Sequence, residues 1–424
     1  MHQPLANQRD PLVWCGLIAM AFMALAWNRL AIPSQAYFDE VHYVPAARKM
    51  LQLISVNPEH PLFGKIVLAA SIWLGGDRPL IWRIPSLLFG TLGLFAFGRG
   101  LWWASQRRFA TLAGMVLLAT NFTWFIQSRI AMLDMIMAGL GMAALWQLAV
   151  AVRKPAQARW RMALAGVLMG LAMGTKWNVL PAAMLPGLAF LVCKAIGHRG
   201  RFLTARDGAP VPGMSLLEAA LWLGLLPLVV YWLTYMPAFF YAKDAVDPLN
   251  PIKHHLWMLQ LQNSVTKPHP YATVWYQWVS DWRGAWYLYQ DVDGAQRGIV
   301  LIGNPLTMLA GLPAVVWALW AGIRHRRFDA LAFALLYLAS LGMWIGSSKP
   351  IQFYYHYLLP GAFLMGCLAL ALDEWREKLE WLMPWLIPVV GCLIFAHFYP
   401  IISAAKLSEG RGSFEYWMWL SSWR

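Results

Sequence analysis

Long apolar stretches, separated by short polar segments, run through almost the whole chain. A helix needs about 20 apolar residues to cross a bilayer, and windows of that length predict about eleven spans. We place them at 12–32, 81–103, 109–127, 130–151, 161–177, 179–196, 216–236, 299–322, 328–346, 353–372 and 381–400. Two long segments, 33–80 and 237–298, remain outside these spans. The pattern therefore predicts an all-α integral membrane protein, built as a polytopic helical bundle.

Basic residues are concentrated in the short connections on one side of this predicted bundle. They are Arg107, Arg108, Arg153, Lys154, Arg159, Arg161, Lys194, Arg199, Arg201, Arg206, Arg324, Arg326, Arg327, Arg376 and Lys378. The positive-inside rule makes that side cytoplasmic, so the amino terminus is predicted inside and the carboxyl terminus outside. We divide the chain into a membrane region with an acidic first outer loop, an aromatic-rich outer loop, and a second membrane region with an outer tail. Their bounds are 1–236 (loop 33–80), 237–298 and 299–424.

Both outer loops have the composition of segments that lie at a membrane surface. Residues 41–54 mix apolar and basic positions, as an interfacial amphipathic helix does, and 62–74 is apolar but too short to span. The loop 237–298 is rich in Trp and Tyr, which belong at the headgroup level. We expect amphipathic helices in both loops, with the aromatic residues acting either as an anchor or as a wall for a sugar or an acceptor.

Three glycines recur at every fourth position of the fifth span: Gly166, Gly170 and Gly174. Small residues at this spacing predict a face on which two membrane helices pack closely. The sequence continues to Lys176 and superficially resembles a phosphate-binding loop. Its glycine spacing is wrong and no strand precedes it, so nucleotide binding is not expected.

Composition narrows the class further. The chain of 424 residues is 59% hydrophobic and 13% charged, which is typical of a membrane protein. The net charge of +14 fits Lys and Arg at cytoplasmic helix ends, and no basic stripe interleaved with stacking aromatics indicates a nucleic-acid partner. The cysteines all lie in apolar stretches and are interpreted as core residues; they are Cys15, Cys193, Cys367 and Cys392. The spacing of His254, His255 and His269 matches no strong metal-ligand signature.

Adjacent carboxylates, Asp39 and Glu40, directly follow the first span. In a chain with so few acids, such a pair at a membrane surface indicates chemistry. The predicted topology places His60 and several cations on the same face: Lys65, Arg83, Arg129, Lys176 and Lys349. Sugar transfer from a polyprenyl phosphate needs a carboxylate base for the acceptor hydroxyl and cations for the departing phosphate. Arg129 and Asp134 are expected as neighbours on one helix face, where a structural ion pair is an equal alternative.

These motifs resemble the protein O-mannosyltransferase family, within the membrane glycosyltransferases of the GT-C type. In the first half the resemblance rests on Phe38-Asp39-Glu40-Val41-His42, His60-Pro61-Leu62-Phe63-Gly64-Lys65, Arg83 with Pro85-Ser86, Gln127-Ser128-Arg129 with Leu133-Asp134, and Gly174-Thr175-Lys176-Trp177. In the second half it rests on His269-Pro270-Tyr271 with Trp275 and Trp278, Gly303-Asn304-Pro305, and Tyr355-His356-Tyr357-Leu358-Leu359-Pro360. The matches follow the family order over most of the chain.

The resemblance implies an inverting transfer of mannose from a polyprenyl-phosphate donor to a Ser or Thr hydroxyl of a protein on the outer face. By the motif match, Asp39 would be the catalytic base, and Glu40 would orient the acceptor or the base. The donor phosphate would meet Arg129, with Arg83, Lys176 and Lys65 as further candidates. The substrate site would be lined by His60, Asp134, Tyr355 and His356.

Two departures from the family pattern refine this expectation. Leu62 stands where the family usually has a second proline, and 237–298 has no room for the large luminal domain of the eukaryotic members. The missing luminal domain indicates a bacterial-type enzyme of the cytoplasmic (inner) membrane. It leaves open a lipid acceptor, as in relatives that modify lipid A, or a surface glycan. Many GT-C enzymes use a divalent cation at their acidic loop, whereas the protein mannosyltransferases are generally regarded as metal-independent. We follow the closer family and predict no cofactor or metal, with a divalent cation as the less favoured alternative.

A transporter of a lipid-linked substrate is a remote alternative from a different class. Transporters often have two similar halves and broken helices near the middle of the membrane. The sequence shows no such repeat, and its polar residues gather at one predicted surface. We therefore expect an enzyme whose partners are the donor lipid, its acceptor and the surrounding membrane lipid.

Overall fold

The computed structural model describes residues 8–264, 266–267, 269–376, 383–408 and 410–424. Within the first half the helices are α1 (Leu12–Trp27), α2 (Glu40–Met50), α3 (Phe63–Gly75), α4 (Pro79–Ser105), α5 (Arg108–Ala119), α6 (Phe122–Gln127), α7 (Leu133–Arg153), α8 (Ala158–Met173) and α9 (Leu180–His198). Then follow α10 (Leu216–Ala220), α11 (Leu226–Leu233), α12 (Pro251–Ser264), α13 (Trp275–Val279), β1 (Ala285–Val292), β2 (Ala295–Leu301), α14 (Pro305–His325), α15 (Phe328–Ile345), α16 (Leu358–Arg376) and α17 (Met383–Ile402). A π-helical turn, Leu221–Leu225, joins α10 to α11.

Within the described ranges, eight helical segments are long and apolar enough to cross a membrane. They are Pro79–Ser105, Leu133–Arg153, Trp177–Arg201, Leu216–Phe240, Pro305–His325, Phe328–Ile345, Tyr354–Arg376 and Met383–Ile402. Each span placed from the sequence overlaps a helix, and α1, α5 and α8 supply shorter ones. The mostly helical membrane fold is therefore confirmed, while the number eleven stays a prediction. Lys378 and positions 381–382 of the last predicted span lie outside the described residues.

The centre of the bundle is α16. Its residues are buried without interruption from Leu358 to Glu374, and α5, α14 and α15 pack around it. A helix that is apolar on all sides must be covered by other helices or by lipid, and α16 is covered by other helices. By contrast, α9 and α11 expose most of their apolar side chains, as expected of helices at the lipid-facing edge.

Close packing of α8 through its glycines is confirmed. A Cβ added at Gly166 would lie 2.2 Å from the carbonyl oxygen of Trp222, and one at Gly170 would lie 2.6 Å from that of Pro227. Neither position has room for a side chain, because the backbone of the π-turn and of α11 lies directly against α8. The stripe therefore sets a helix–helix distance, as small residues do in membranes.

The second outer loop departs from the all-helical expectation. Strands β1 and β2 pair antiparallel, with Tyr289 opposite Gly298. They are joined by Asp293 and Gly294, which both have positive φ (51° and 68°), as a two-residue hairpin turn of type I′ requires. Because β2 takes residues up to Leu301, the eighth predicted span begins at Pro305 and not at 299. The predicted domain boundary at 298/299 falls inside β2.

Candidate active site

Asp39 is the residue immediately before α2, and its carboxylate is held half-buried without a partner. The preceding Phe38 has a left-handed backbone (φ 47°), an uncommon conformation for a bulky residue that the surrounding structure must enforce. Its ring stacks on Tyr287 at a centroid distance of 3.9 Å. No residue in the described part of the chain donates a hydrogen bond to the Asp39 carboxylate. Burial raises the pKa of Asp39 to about 6, Lys176 opposes the rise, and Asp134 adds to it.

Arg83 uses all of its N–H donors to hold Glu40 and the backbone between Leu30 and Gln35. Its Nε and Nη2 donate to the two carboxylate oxygens of Glu40 at 2.8 and 2.9 Å. Its Nη1 donates to the carbonyl oxygens of Leu30 (3.0 Å) and Pro33 (2.8 Å), and Nη2 also donates to that of Gln35 (3.0 Å). A guanidinium has five N–H donors, so none remains for a donor phosphate. The geometry makes Arg83 the anchor of the loop that carries Asp39.

Glu40 is as fully occupied as Arg83. Besides the guanidinium, it accepts backbone N–H bonds from Ala131 at 2.9 Å and from Tyr37 at 3.3 Å. Its side chain is completely buried. The sequence suggested two roles for Glu40: to contact the acceptor or to orient Asp39. Because both carboxylate oxygens are occupied, the second role, orientation of the neighbouring Asp39, is the one that the geometry favours.

Arg129 is likewise committed to backbone oxygens. Its Nη1 donates to the carbonyls of Ala26 (2.5 Å) and Asn28 (2.6 Å), and its Nη2 to those of Arg29 (3.3 Å) and Ser403 (3.2 Å). These contacts fix the end of α1 to the segment after α17. The expectation that Arg129 and Asp134 are neighbours on one helix face is wrong, because the chain leaves the helix between α6 and α7.

Asp134 pairs instead with Lys176. The Lys176 Nζ lies 2.8 Å from both Asp134 oxygens and 4.7 Å from the centroid of the Tyr355 ring. The motif at 60–65 packs on the same segment, since the Phe63 N–H donates to the Gly174 carbonyl at 2.8 Å. A Cβ on Gly64 would lie 2.8 Å from the Thr175 side chain, so a glycine is needed there.

Lys65 closes the loop before α3 upon itself. Its Nζ donates to the carbonyl oxygens of Asn57 and, at 3.0 Å, His60. The side chain is completely buried. Lys65 therefore fixes the backbone at His60 and keeps little donor capacity for a phosphate.

Among the cations on the predicted outer face, Lys349 is the one to which the sequence analysis assigned no role. It lies half-buried in the connection between α15 and α16, and in the described residues its ammonium has neither a hydrogen bond nor an ion pair. Burial lowers the pKa of Lys349 to about 8, Lys176 lowers it further, and Asp134 and Asp39 oppose that change. Its segment, Ser348-Lys349-Pro350, joins two spans on the predicted outer face. This position was the sequence feature that pointed to a functional role for Lys349.

The turn after Lys349 brings Tyr355 and His356 to the same place. The Phe353 N–H donates to His356 Nδ1 at 3.0 Å, which assigns the proton of the neutral ring to Nε2. The ring stacks on Trp344 at 3.8 Å, and in the described residues its buried Nε2 has no partner. A small cavity is lined by Asp134, Tyr355, His356 and Trp344. His356 thus presents a fixed donor beside the Lys176–Asp134 pair.

His60 completes the cluster from the first outer loop. Its ring lies 6.4 Å from that of Tyr43 on α2. Burial lowers the pKa of His60 well below its usual range, and Lys176 and Lys349 lower it further, so the ring is neutral. The structure therefore gathers seven side chains: Asp39, His60, Asp134, Lys176, Lys349, Tyr355 and His356. Glu40, Lys65 and Arg83 hold the loop that carries Asp39 and His60, and Arg129 joins the end of α1 to the segment after α17.

The buried residue Asp281 connects three segments near the cluster: the turn at Tyr354, the loop at Gly303 and the tail at Trp423. Asp281 accepts from the Tyr354 hydroxyl at 2.7 Å and from the Gly303 N–H at 2.8 Å. Its carbonyl accepts from Trp423 Nε1 at 2.8 Å, so the tail packs on the same point. Burial raises the pKa of Asp281 to about 7, against the hydrogen bonds from Tyr354 and Gly303.

In the described ranges, no group of three or more His, Cys, Asp or Glu side chains is placed to hold a metal ion. The absence of a metal requirement stays a prediction.

Comparison with known proteins tests the predicted resemblance. No protein-family model matches the chain. It is 26% identical to the polyprenol-phosphate-mannose–protein mannosyltransferase of Mycolicibacterium smegmatis, over 91% of this chain and 87% of that relative. The S. cerevisiae protein O-mannosyltransferase Pmt1-Pmt2 complex bound to the sugar donor superimposes with a TM-score of 0.81 at 13% identity, covering 98% of this chain and 93% of that one.

A second solved structure shares the architecture more distantly. ArnT from Cupriavidus metallidurans bound to undecaprenyl phosphate superimposes with a TM-score of 0.56 at 17% identity, over 92% of this chain and 64% of ArnT. At such low identity, a superposition establishes the fold, and this fold is that of the GT-C membrane glycosyltransferases. Together with the relatives, it confirms the resemblance of the chain to the protein O-mannosyltransferases along nearly its whole length.

Proposed function

We propose that this protein transfers mannose from a polyprenyl-phosphate donor to a Ser or Thr hydroxyl of a protein acceptor. The relatives named polyprenol-phosphate-mannose–protein mannosyltransferases support the donor and the acceptor class. The observation that carries the proposal is a pair of opposite charges, Asp39 and Lys349, whose charged groups have no hydrogen-bond or ion-pair partner among the described residues. Asp39 and Lys349 are both half-buried, and each is within electrostatic reach of the other.

Asp39 acts as the general base. Its ionised carboxylate accepts the proton of the acceptor hydroxyl while that oxygen forms a bond to the anomeric carbon of mannose. The bond from this carbon to the phosphate oxygen breaks, and its electron pair leaves with the polyprenyl phosphate. Attack on the face opposite the leaving phosphate inverts the configuration. A base with a pKa of about 6 is mostly ionised at neutral pH and still basic enough to draw the proton.

Lys349 and Lys176 neutralise the departing phosphate. Among the cations of this cluster, Lys349 is the one whose ammonium makes no hydrogen bond or ion pair with the described residues, and a compact ammonium binds phosphate as a point charge. Lys176 lies close to Lys349 and keeps Asp134 as its counter-ion, which holds the ammonium in position. Arg83, Arg129 and Lys65 were expected from the sequence to meet the phosphate. They are assigned to positioning because backbone oxygens and Glu40 occupy all five donors of Arg83 and most donors of Arg129 and Lys65.

The donor sugar binds beside these cations. His356 offers a fixed Nε2–H, and Tyr355 offers a phenol over which the Lys176 ammonium lies. Sugar hydroxyls accept and donate in directions that such groups can match. Asp134, His60, Tyr355 and His356 retain the substrate-lining role that the motifs imply.

We further propose that the site faces the outer side of a cytoplasmic membrane and that the amino terminus is inside. The basic residues in short connections support this orientation under the positive-inside rule. The reaction is proposed to proceed without a metal ion, in line with the predicted family property.

A transfer assay tests the proposal. Purified protein in detergent is incubated with polyprenyl-phosphate [14C]mannose and a Ser/Thr-rich peptide, with and without EDTA. Label is expected in the peptide under both conditions. Asp39→Asn is expected to lower the rate by roughly 10²- to 10⁴-fold with donor binding retained, whereas Asp291→Asn, an exposed residue of the hairpin, matches the wild type.

Each part of the proposal has its own contrary result. Transfer by Asp39→Asn at the wild-type rate removes the assigned base. Label in an added lipid or glycan, with none in peptide, replaces the acceptor. Loss of transfer in EDTA that Mg²⁺ or Mn²⁺ restores removes the metal-independent mechanism.

A further inference from the structure

A second cavity lies on the far side of His60 from the catalytic cluster. It measures about 30 Å³ and lies between the loop before α3 and the segment from Tyr235 to Trp257. This volume holds one or two waters, or the tip of a small side chain. His60 lines the cavity, and its ring also lies 6.4 Å from that of Tyr43, so the cavity is bounded by a member of the catalytic cluster.

The wall of this cavity is aromatic and firmly held. The rings of Tyr235 and His254 lie 5.1 Å apart, and those of His254 and Trp257 lie 5.8 Å apart. Tyr235 is fixed by contact of its hydroxyl with the sulfur of Met258 at 3.3 Å. The opposite wall is tied to α12, because Gln262 donates to the Glu59 carbonyl at 2.7 Å.

One polar atom in the wall lacks a partner. The Tyr241 side chain is 6% exposed, and its hydroxyl makes no hydrogen bond within the described residues. A buried hydroxyl left unpaired costs about 1–3 kcal/mol. A ligand that brings a backbone N–H or carbonyl oxygen to Tyr241 removes that cost.

The lining excludes an anionic ligand. It contains no Lys or Arg, and Asp244 lies at its exposed edge. Burial lowers the pKa of His254 to about 4, and His255 lowers it further, so this ring carries no charge at neutral pH. A lipid phosphate has no cation to meet here.

The lining also differs from the surface that faces lipid. On α12, Ile252 is 73% exposed and Met258 is 0% exposed. Ile252, Leu256 and Leu259 recur at helical spacing on one side, whereas His254 and Trp257 face the cavity from the other. The outward stripe suits an interfacial helix at the membrane surface. Trp257 lines the cavity although its side chain is also 45% exposed.

We propose that the cavity between His60, Tyr241 and Trp257 is an acceptor subsite, which takes an apolar side chain or a proline of the polypeptide next to the reacting Ser or Thr. The inference rests on the proposed function and specifies how its protein acceptor is recognised. Aromatic-lined grooves bind extended and proline-containing peptides, and an extended chain advances about 3.3–3.6 Å per residue. A flanking residue in the cavity therefore leaves the target hydroxyl free to reach past His60 toward Asp39.

The test compares Trp257→Ala and Tyr241→Phe with the wild type, and with Ile252→Ala on the outward side of the same helix as a matched control. Steady-state transfer is measured against a Ser/Thr peptide with flanking Ala and Pro, and against the same peptide with these residues changed to Gly. Trp257→Ala is expected to raise the peptide KM about tenfold, as truncation of a contact aromatic does, with the donor KM unchanged. Tyr241→Phe raises it less, and the glycine peptide abolishes the difference between variants.

Peptide binding is measured separately in the Asp39→Asn background, which requires no turnover. Weaker binding in Trp257→Ala, with Ile252→Ala equal to the parent, supports the subsite. Transfer to peptide by the wild type, combined with unchanged KM and peptide affinity in both cavity variants, overturns this inference alone. Transfer to lipid or glycan but to no peptide overturns the proposed acceptor together with the subsite.

Discussion

Arg83 and Lys349 are both cations near the acidic loop, but their substitutions are predicted to have different effects: loss of stability for Arg83 and weaker donor binding for Lys349. Arg83 is completely buried and bound to Glu40 and to three carbonyl oxygens. Arg83→Ala leaves the Glu40 charge buried with only two backbone N–H partners. Loss of one partner of a buried ion pair costs about 3–5 kcal/mol. We therefore expect an apparent melting temperature lower by on the order of 5–10 °C.

Lys349→Ala removes a charge that makes no hydrogen bond or ion pair with the described residues, so the fold loses neither. Its melting temperature is expected to equal that of the wild type, while the KM for the polyprenyl-phosphate donor rises by about tenfold or more, since a hydrogen bond to a charged group contributes about 1.5–3 kcal/mol. Arg83→Lys keeps the charge but has three donors in place of five. It should fall between the wild type and Arg83→Ala in stability.

Thermal unfolding in detergent, followed by tryptophan fluorescence, measures the first effect, and donor titration at low temperature measures the second. A double variant, Arg83→Met with Glu40→Leu, provides a further control. Removing both charges avoids the uncompensated carboxylate, so this variant should be more stable than Arg83→Met alone. The reasoning is refuted if Arg83→Ala melts like the wild type and binds the donor weakly. It is also refuted if Lys349→Ala binds the donor normally, which would move the phosphate role to Lys176.

Two further predictions concern pH. Burial raises the pKa of Asp39 to about 6, and its ionised form is the proposed base. The value of kcat/KM for the acceptor should therefore fall tenfold per pH unit below about pH 6 and level off above it; a value of kcat/KM that stays unchanged down to pH 5 would contradict this. The folded pKa of Asp281, about 7, lies above its ordinary value of 3.8, so its stabilising contribution is complete below about pH 4 and is lost as the pH rises to about 7. Asp281→Asn keeps an acceptor oxygen for Tyr354 and Gly303 but cannot ionise, and it should melt higher than the wild type at pH 8 and equally at pH 4; a lower melting temperature at pH 8 would show that the ionised form stabilises the fold.

The sequence predicts the membrane helices well because span length and apolar content are local properties. Its motifs also identify Asp39, Asp134, Lys176, Tyr355 and His356, which the fold brings together. The hairpin was missed although Asp293-Gly294 is a strong turn signal. The apolar residues of β2 continue directly into α14, and a hydropathy window cannot separate a buried strand from the start of a span.

The roles of individual cations could not be predicted, because they depend on carbonyl oxygens supplied by distant segments. Arg129 binds the end of α1 and the carbonyl of Ser403, which is 274 residues away. A motif fixes the residue type, but it does not reveal whether backbone carbonyl oxygens will occupy the side chain's hydrogen-bond donors. Burial and hydrogen bonding decide that, and here they place Arg129 and Arg83 in the framework.

The adjacent carboxylates show why this distinction matters for function. Glu40 accepts four hydrogen bonds and is immobile, while Asp39, one residue earlier, accepts none from the described chain. A charge left buried without a partner is costly, so a fold selected for stability alone has no reason to keep both Asp39 and Lys349 unpaired. Here, the strained backbone at Phe38 and the anchored Glu40 hold Asp39 apart from a lysine that also lacks a partner. Perturbed, unpaired groups of opposite sign in one place are what a reaction requires when a hydroxyl must lose a proton and a phosphate must depart.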